Sequence, residues 1–153
     1  VFYWRHRFYH KYMWWLHRLH HDDQGFDLTL SFRIHPIEVL VQMIVILFLG
    51  LLFEINEWQL VIAVQVFSVQ ALLSHLDLVH KDNNIFKTIS KVLVTPGFHE
   101  KHHDLIQFDS HFGFLFSFWD KIFNTEKKFT VTKKALSSKL TERTIWNSLI
   151  GKV

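Results

Sequence analysis

The 153-residue chain contains no cysteine, which excludes disulfides, thiolate nucleophiles, zinc ribbons and iron–sulfur clusters. Any metal it holds must be bound through nitrogen and oxygen. Only two prolines and five glycines interrupt it, and 16 phenylalanines accompany abundant Leu, Ile and Val, so disorder is excluded and a helical, lipid-compatible chain is implied. A secretory signal is missing as well, because Arg5, His6 and Arg7 stand where its apolar core would run. The chain opens at Val1 inside an aromatic, histidine-bearing segment, so an N-terminally truncated fragment lacking upstream spans is expected.

What the chain has in excess is histidine, with 12 residues. Five lie in Val1–His21: His6, His10, His17, His20 and His21. On one continuous helix, with His6 at zero, the other four fall at about 40°, 20°, −40° and 60°, so all five share an arc of roughly 100°. If the helix breaks near Trp14, an i,i+4 pair in HRFYH and an i,i+3,i+4 triplet in HRLHH keep their local geometry. Far downstream the triplet recurs as His99, His102 and His103.

Charge organises the rest. The stretch from Ile37 to Phe53 has no Lys or Arg and sits at the lower edge of bilayer-spanning length, and after an acidic turn, Glu54 to Glu57, a second apolar run covers Leu60 to Leu73. All 17 Lys and Arg lie outside 36–73, five before and twelve after. That distribution is the positive-inside pattern of a membrane hairpin, about residues 36–74, whose flanks share the cytoplasmic face; a buried hairpin in a soluble protein is the rival. An antiparallel hairpin returns the chain to the side it left, so the two histidine clusters meet. The expected fold is all-α: a membrane hairpin with a cytosolic helical cap carrying a histidine-rich di-metal site. A catalytic domain at 1–125 would be followed by a lysine-rich cytosolic tail at 126–153. Asn83 to Val94 reads as an amphipathic surface helix, and Thr95 as the N-cap of a helix begun by Pro96.

Neutral imidazole is a good ligand for iron, zinc, copper and nickel. The eight clustered histidines exceed what one four- to six-coordinate ion can use, which implies two metals. A solvated or aromatic-stacked histidine face is the plain alternative. His80, five residues after His75, would lie about 140° round a helix, so it reads as a supporting or exposed residue. His35, before Pro36, suits interfacial anchoring as well as ligation, and His111 suits a structural role. Asp77, Asp104 and Asp120 could accept Nδ1–H bonds from ligating histidines or serve as ordinary caps.

These elements resemble the fatty acid hydroxylase/sterol desaturase superfamily of integral-membrane, non-haem di-iron oxygenases. The resemblance rests on Tyr3-Trp4-Arg5-His6-Arg7-Phe8-Tyr9-His10, His17-Arg18-Leu19-His20-His21, Arg33-Ile34-His35-Pro36-Ile37-Glu38, Thr95 to His103, Phe112-Gly113 and Trp119 to Thr125. It implies a cytosol-facing di-iron centre, in which zinc could substitute on purification, with O2 as co-substrate. The implied reaction is hydroxylation or desaturation of a lipid such as a fatty acyl chain or sterol, with electrons from a separate donor protein and no nucleic-acid partner. It also places a ligand histidine after the hairpin, where this chain has His75, with simple hydrogen bonding as the alternative. Asp104, His111 and Asp77 depart from the residues common in such proteins, which bears on substrate class more than on reaction type. A membrane metal-handling protein without redox catalysis and a bis-histidine haem protein are the competing functions.

Overall fold

The computed structural model of the protein describes residues 1–21, 26–78, 83–104 and 107–128. Among them every regular element is helical: α1 (Phe2–Tyr12), α2 (Trp14–His21), a 3-10 turn (Leu28–Phe32), α3 (Pro36–Leu52), α4 (Glu57–Ser74), α5 (Asn84–Ile89), α6 (Pro96–His102) and α7 (Phe118–Ile122). The expected all-α class holds.

The opening helix is two helices. Met13 leaves helical geometry at φ −130° and ψ 37° while its N–H still bonds to the Tyr9 carbonyl, so α2 departs in a new direction. α1 and α2 remain packed on each other. The continuous arc of five histidines is therefore replaced by two shorter faces, each keeping its local spacing.

Pro36 starts α3 as its φ-restricted ring favours, and the preceding His35 is the N-cap, its Nδ1 accepting the Ile37 N–H at 3.1 Å. Asn56 and Gln59 form a reciprocal capping box at the start of α4. That cap extends α4 beyond the apolar run 60–73 at its N-terminal end. At 18 residues, about 27 Å long, α4 is long and apolar enough to cross a membrane, whereas α3 has 17. The longer span is thus the second one, although its apolar run is the shorter in sequence.

Polarity is inverted relative to a water-soluble domain. Tyr3, Tyr9, Leu16, Leu30, Val94, Phe98 and Phe112 make up the buried apolar set among the described residues, and they are outnumbered by buried polar side chains, most of them histidine. Leu51 at 82%, Trp58 at 71% and Phe53 at 68% exposure lie at the hairpin tip, and Leu40, Met43, Leu47, Ile62 and Val66 also face outward. A surface of this kind suits hydrocarbon as its solvent. α3 packs against α2, while α4 packs against the 3-10 turn and α6.

The amphipathic helix expected over 83–94 is shorter. α5 ends at Ile89, because Leu93 and Phe116 form an antiparallel bridge with Val94 N–H on the Leu115 carbonyl and Ser117 N–H on the Val92 carbonyl. Extended pairing at 92–94 delivers the chain to Thr95, whose hydroxyl caps α6 through the Phe98 N–H. Directly after α7, Phe123 packs on the Tyr3 and Trp4 rings of α1, with centroids 5.3 and 4.6 Å away.

Candidate metal centre

Nine histidines from α1, α2, the end of α4 and α6 converge into two adjacent groups. One comprises His6, His10, His17, His21 and His102; the other comprises His20, His75, His99 and His103. Within each group one ring nitrogen per residue lies within 4.8 Å of all the others. Eight of the nine are buried, His103 being intermediate.

Helix geometry explains the division. Residues i and i+4 differ by about 40° on a helix, whereas i+3 lies about 100° from i+4, so an HxxHH motif can serve two centres. In α2 the pair His17 and His21 joins the first group and His20 the second. Around α6 the assignment is exchanged: His99 and His103 join the second group and His102 the first. His21 stacks on His103 with centroids 4.4 Å apart and planes at 24°, where the two groups adjoin.

Five rings have their tautomer set by groups that can only accept. Nδ1–H of His6 donates to the Phe112 carbonyl at 3.0 Å, that of His20 to the Leu30 carbonyl at 3.1 Å and that of His102 to the Ser110 carbonyl at 2.7 Å. His17 donates to the Glu38 carboxylate at 3.1 Å, and His75 to the Ala71 carbonyl at 2.7 Å. Each of these rings therefore turns its Nε2 inward, with a free lone pair in the neutral form. The Nε2 atoms of His6 and His17 lie 3.0 Å apart, close enough to share a proton or a metal ion. Similar Nε2 pairs join His10 to His102 at 3.2 Å and His75 to His99 at 3.1 Å.

Protons are not held there readily. Burial first, and then the neighbouring imidazoles, hold His6, His20, His21, His99, His102 and His103 well below their ordinary pKa. Burial also lowers His75, and lowers His10 to about 2. Both ring nitrogens of His21, Nδ1 of His10 and Nδ1 of His99 are buried with no hydrogen-bond partner. Buried polar atoms of this kind call for a partner. Neutral imidazoles with converging lone pairs fit metal ions, and the two groups are able to bind them.

The remaining residues singled out from sequence stand outside both groups. His35 is buried as the α3 cap, its ring edge-on to Trp15 at 5.6 Å. His111 is fully buried at φ 56°, its Nδ1 2.9 Å from the Ser110 hydroxyl, and burial lowers its pKa to about 4. Asp104 is buried and accepts the Gln107 N–H, while Asp77 is exposed. His80 and the tail 129–153 lie outside the described residues. Asp120, fully buried, contacts the site through the backbone. It accepts the N–H groups of Phe112 and Gly113 and the Thr125 hydroxyl, all at 2.7 Å, and so holds the loop whose Phe112 carbonyl orients His6. Burial still raises the Asp120 pKa.

Glu38 was not among the site residues expected from sequence. The signal was present, since it is the sole acid in the apolar stretch Ile37 to Phe53. The carbonyls of Leu30, Ala71, Ser110 and Phe112 leave no such signal, because every residue has one.

Fold and site together define an all-helical protein with an apolar hairpin and two histidine groups able to hold metal. The chain belongs to the fatty acid hydroxylase family, whose model, described as "Fatty acid hydroxylase", matches residues 1–125. Among curated proteins and among solved structures nothing matches it.

Proposed function

We propose that this protein is a membrane-bound di-iron oxygenase that uses O2 and electrons from a separate donor protein to hydroxylate or desaturate a lipid. The observation that carries the reading is the pair of adjacent buried histidine groups, five and four residues strong, drawn from four helices. His6, His10, His17, His21 and His102 would hold one ion, and His20, His75, His99 and His103 the other. Two iron ions bound there would supply the oxidising power that attack on an unactivated C–H bond requires and that no side-chain acid or base provides.

The protein's own part is orientation and exclusion of water. The carbonyls of Phe112, Leu30, Ala71 and Ser110, with the Glu38 carboxylate, keep protons on Nδ1 and aim Nε2 inward. Phe108 and Trp14 stack at 4.7 Å over the outer side of His10 and His21 and shield them from water. A cavity lined by His6, His17, His20, His75 and His99 also borders both hairpin helices through Gln42 and Ala71, which suits a lipid arriving from the bilayer. The hairpin then lies in the membrane with both histidine groups on the cytoplasmic face, in keeping with the placement of Lys and Arg.

The test couples metal analysis with lipid mass spectrometry. Protein purified from iron-replete cells should carry two metal ions per chain, and cells expressing it should gain a lipid bearing one added oxygen or lacking two hydrogens. Substituting His99 should abolish the product. One metal or none would overturn the reading, and metal uptake without any change in lipids would favour a metal-handling protein.

A further inference from the structure

The cavity beside the histidine groups carries a cation that the metal site does not use. Arg5, one residue before His6, lines it together with Tyr9 and Gln42. Its Nη1 donates to the Gln42 Oε1 at 2.6 Å, and among the described residues no carboxylate lies within 4.0 Å of the guanidinium. Two buried polar atoms on this wall, Arg5 Nε and the Tyr9 hydroxyl, have no hydrogen-bond partner.

Glu38 attracts the guanidinium from beyond 4.0 Å, but a largely desolvated guanidinium with no carboxylate in direct contact is costly, and a long apolar side chain could fill the same volume without that cost. Packing on the Phe2 and Tyr9 rings, with centroids 5.3 and 5.6 Å from the guanidinium carbon, offsets part of that cost. Glu38 lines the same cavity but is bonded to His17. Beside Arg5 the wall offers donors for a further group, namely the remaining Arg5 N–H groups, the amide nitrogen of Gln42 whose oxygen Arg5 occupies, and the Tyr9 hydroxyl, alongside the acceptors of Glu38 and of the histidine groups.

We propose that Arg5, with Gln42 and Tyr9, binds the oxyanion of the lipid substrate, a carboxylate or a phosphate, inside the cavity that borders both histidine groups. This rests on the oxygenase reading and deepens it. The same walls carry Arg5 and His6, neighbours in α1. The anchored end and the oxidised carbon are accordingly close, so the enzyme acts near the polar end of an anionic lipid.

The experiment measures binding by the metal-loaded, detergent-solubilised full chain of three probes with equal tails: palmitate, hexadecyl phosphate and hexadecanol. At least one anion should bind about tenfold or more tighter than the alcohol, as a charge-assisted hydrogen bond predicts, and the better of the two identifies the headgroup. Arg5→Gln should erase the preference, Arg5→Lys should retain part of it, and Gln42→Leu, a mild change on a membrane helix, should weaken it even if Arg5→Gln does not fold. Equal binding of all three probes, or a preference that survives both Arg5→Gln and Gln42→Leu, would overturn the proposal, the latter by assigning the anion to the metals. Metal content determined on the same samples keeps a failure of the oxygenase reading separate.

Discussion

At the scale of single residues, the histidines depend on acceptors that hold their outer nitrogens. Glu38 is the one side-chain carboxyl among these acceptors, and it sits in the first turn of an apolar helix where its burial requires a compensating partner. Glu38→Gln preserves the shape but replaces a carboxylate by an amide, and should weaken metal binding by about 10- to 100-fold, the usual cost of losing such a support. Competition with a chelator of known affinity would measure this, with unchanged affinity as the contrary result. Gly113 makes a purely steric prediction. A Cβ there would stand 2.7 Å from the Phe116 carbonyl oxygen and 2.8 Å from Asp120 Oδ2. Gly113→Ala should therefore cost about 2 kcal/mol, seen as a lowered melting temperature in detergent. Because Phe112 N–H and Gly113 N–H share Asp120, the same variant should also loosen the grip on His6.

At the scale of elements, the two HxxHH motifs each serve both groups, in opposite proportions. His20 belongs with α6 histidines and His102 with α1 and α2 histidines. His20→Ala and His102→Ala should therefore each reduce bound metal from two ions toward one, from different groups. The double variant should lose both, as metal analysis of purified protein would reveal; equal and complete loss in each single variant would instead mean that the groups bind cooperatively as one. Much at this scale was legible in the sequence: the cap at Thr95, the helix start at Pro36, the triplets and the hairpin. The break at Met13 was legible only as an alternative. The truncation of α5 was not legible, because the bridge between Leu93 and Phe116 joins segments more than twenty residues apart, and periodicity reports only local preference.

At the scale of the whole molecule, the described interior is a cluster of buried imidazoles enclosed by helices, with apolar residues turned outward on the hairpin. Stability should depend on pH in a stated direction. The folded pKa values of His6, His20, His21, His99, His102 and His103 lie well below the ordinary 6.5, so on acidification the unfolded chain takes up protons that the folded chain refuses. Stability contributed by these residues is present above about pH 6.5 and is lost as pH falls below it, by up to ~1.4 kcal/mol per pH unit for each histidine. Bound metal steepens the loss, because protons compete for the same nitrogens. Melting temperatures of the solubilised protein should hold steady from about pH 8 to 7 and drop sharply toward pH 5; a flat profile would contradict the burial of these rings.

The chain by itself determined the helical class, the apolar hairpin and the nine histidines that converge, because helix spacing, hydropathy and ligand chemistry are written in residue types and their intervals. Only the tertiary structure decided how those nine divide. The division depends on the direction in which α2 leaves Met13 and on the packing of α4 with α6 that brings His75 to His99, and neither follows from a local period. The supports of the rings were likewise decided in three dimensions, since a backbone carbonyl becomes a specific partner only when the fold aims it. The same holds for Arg5, one more basic residue in an aromatic, histidine-rich helix until the fold brings it to Gln42, beside the cavity.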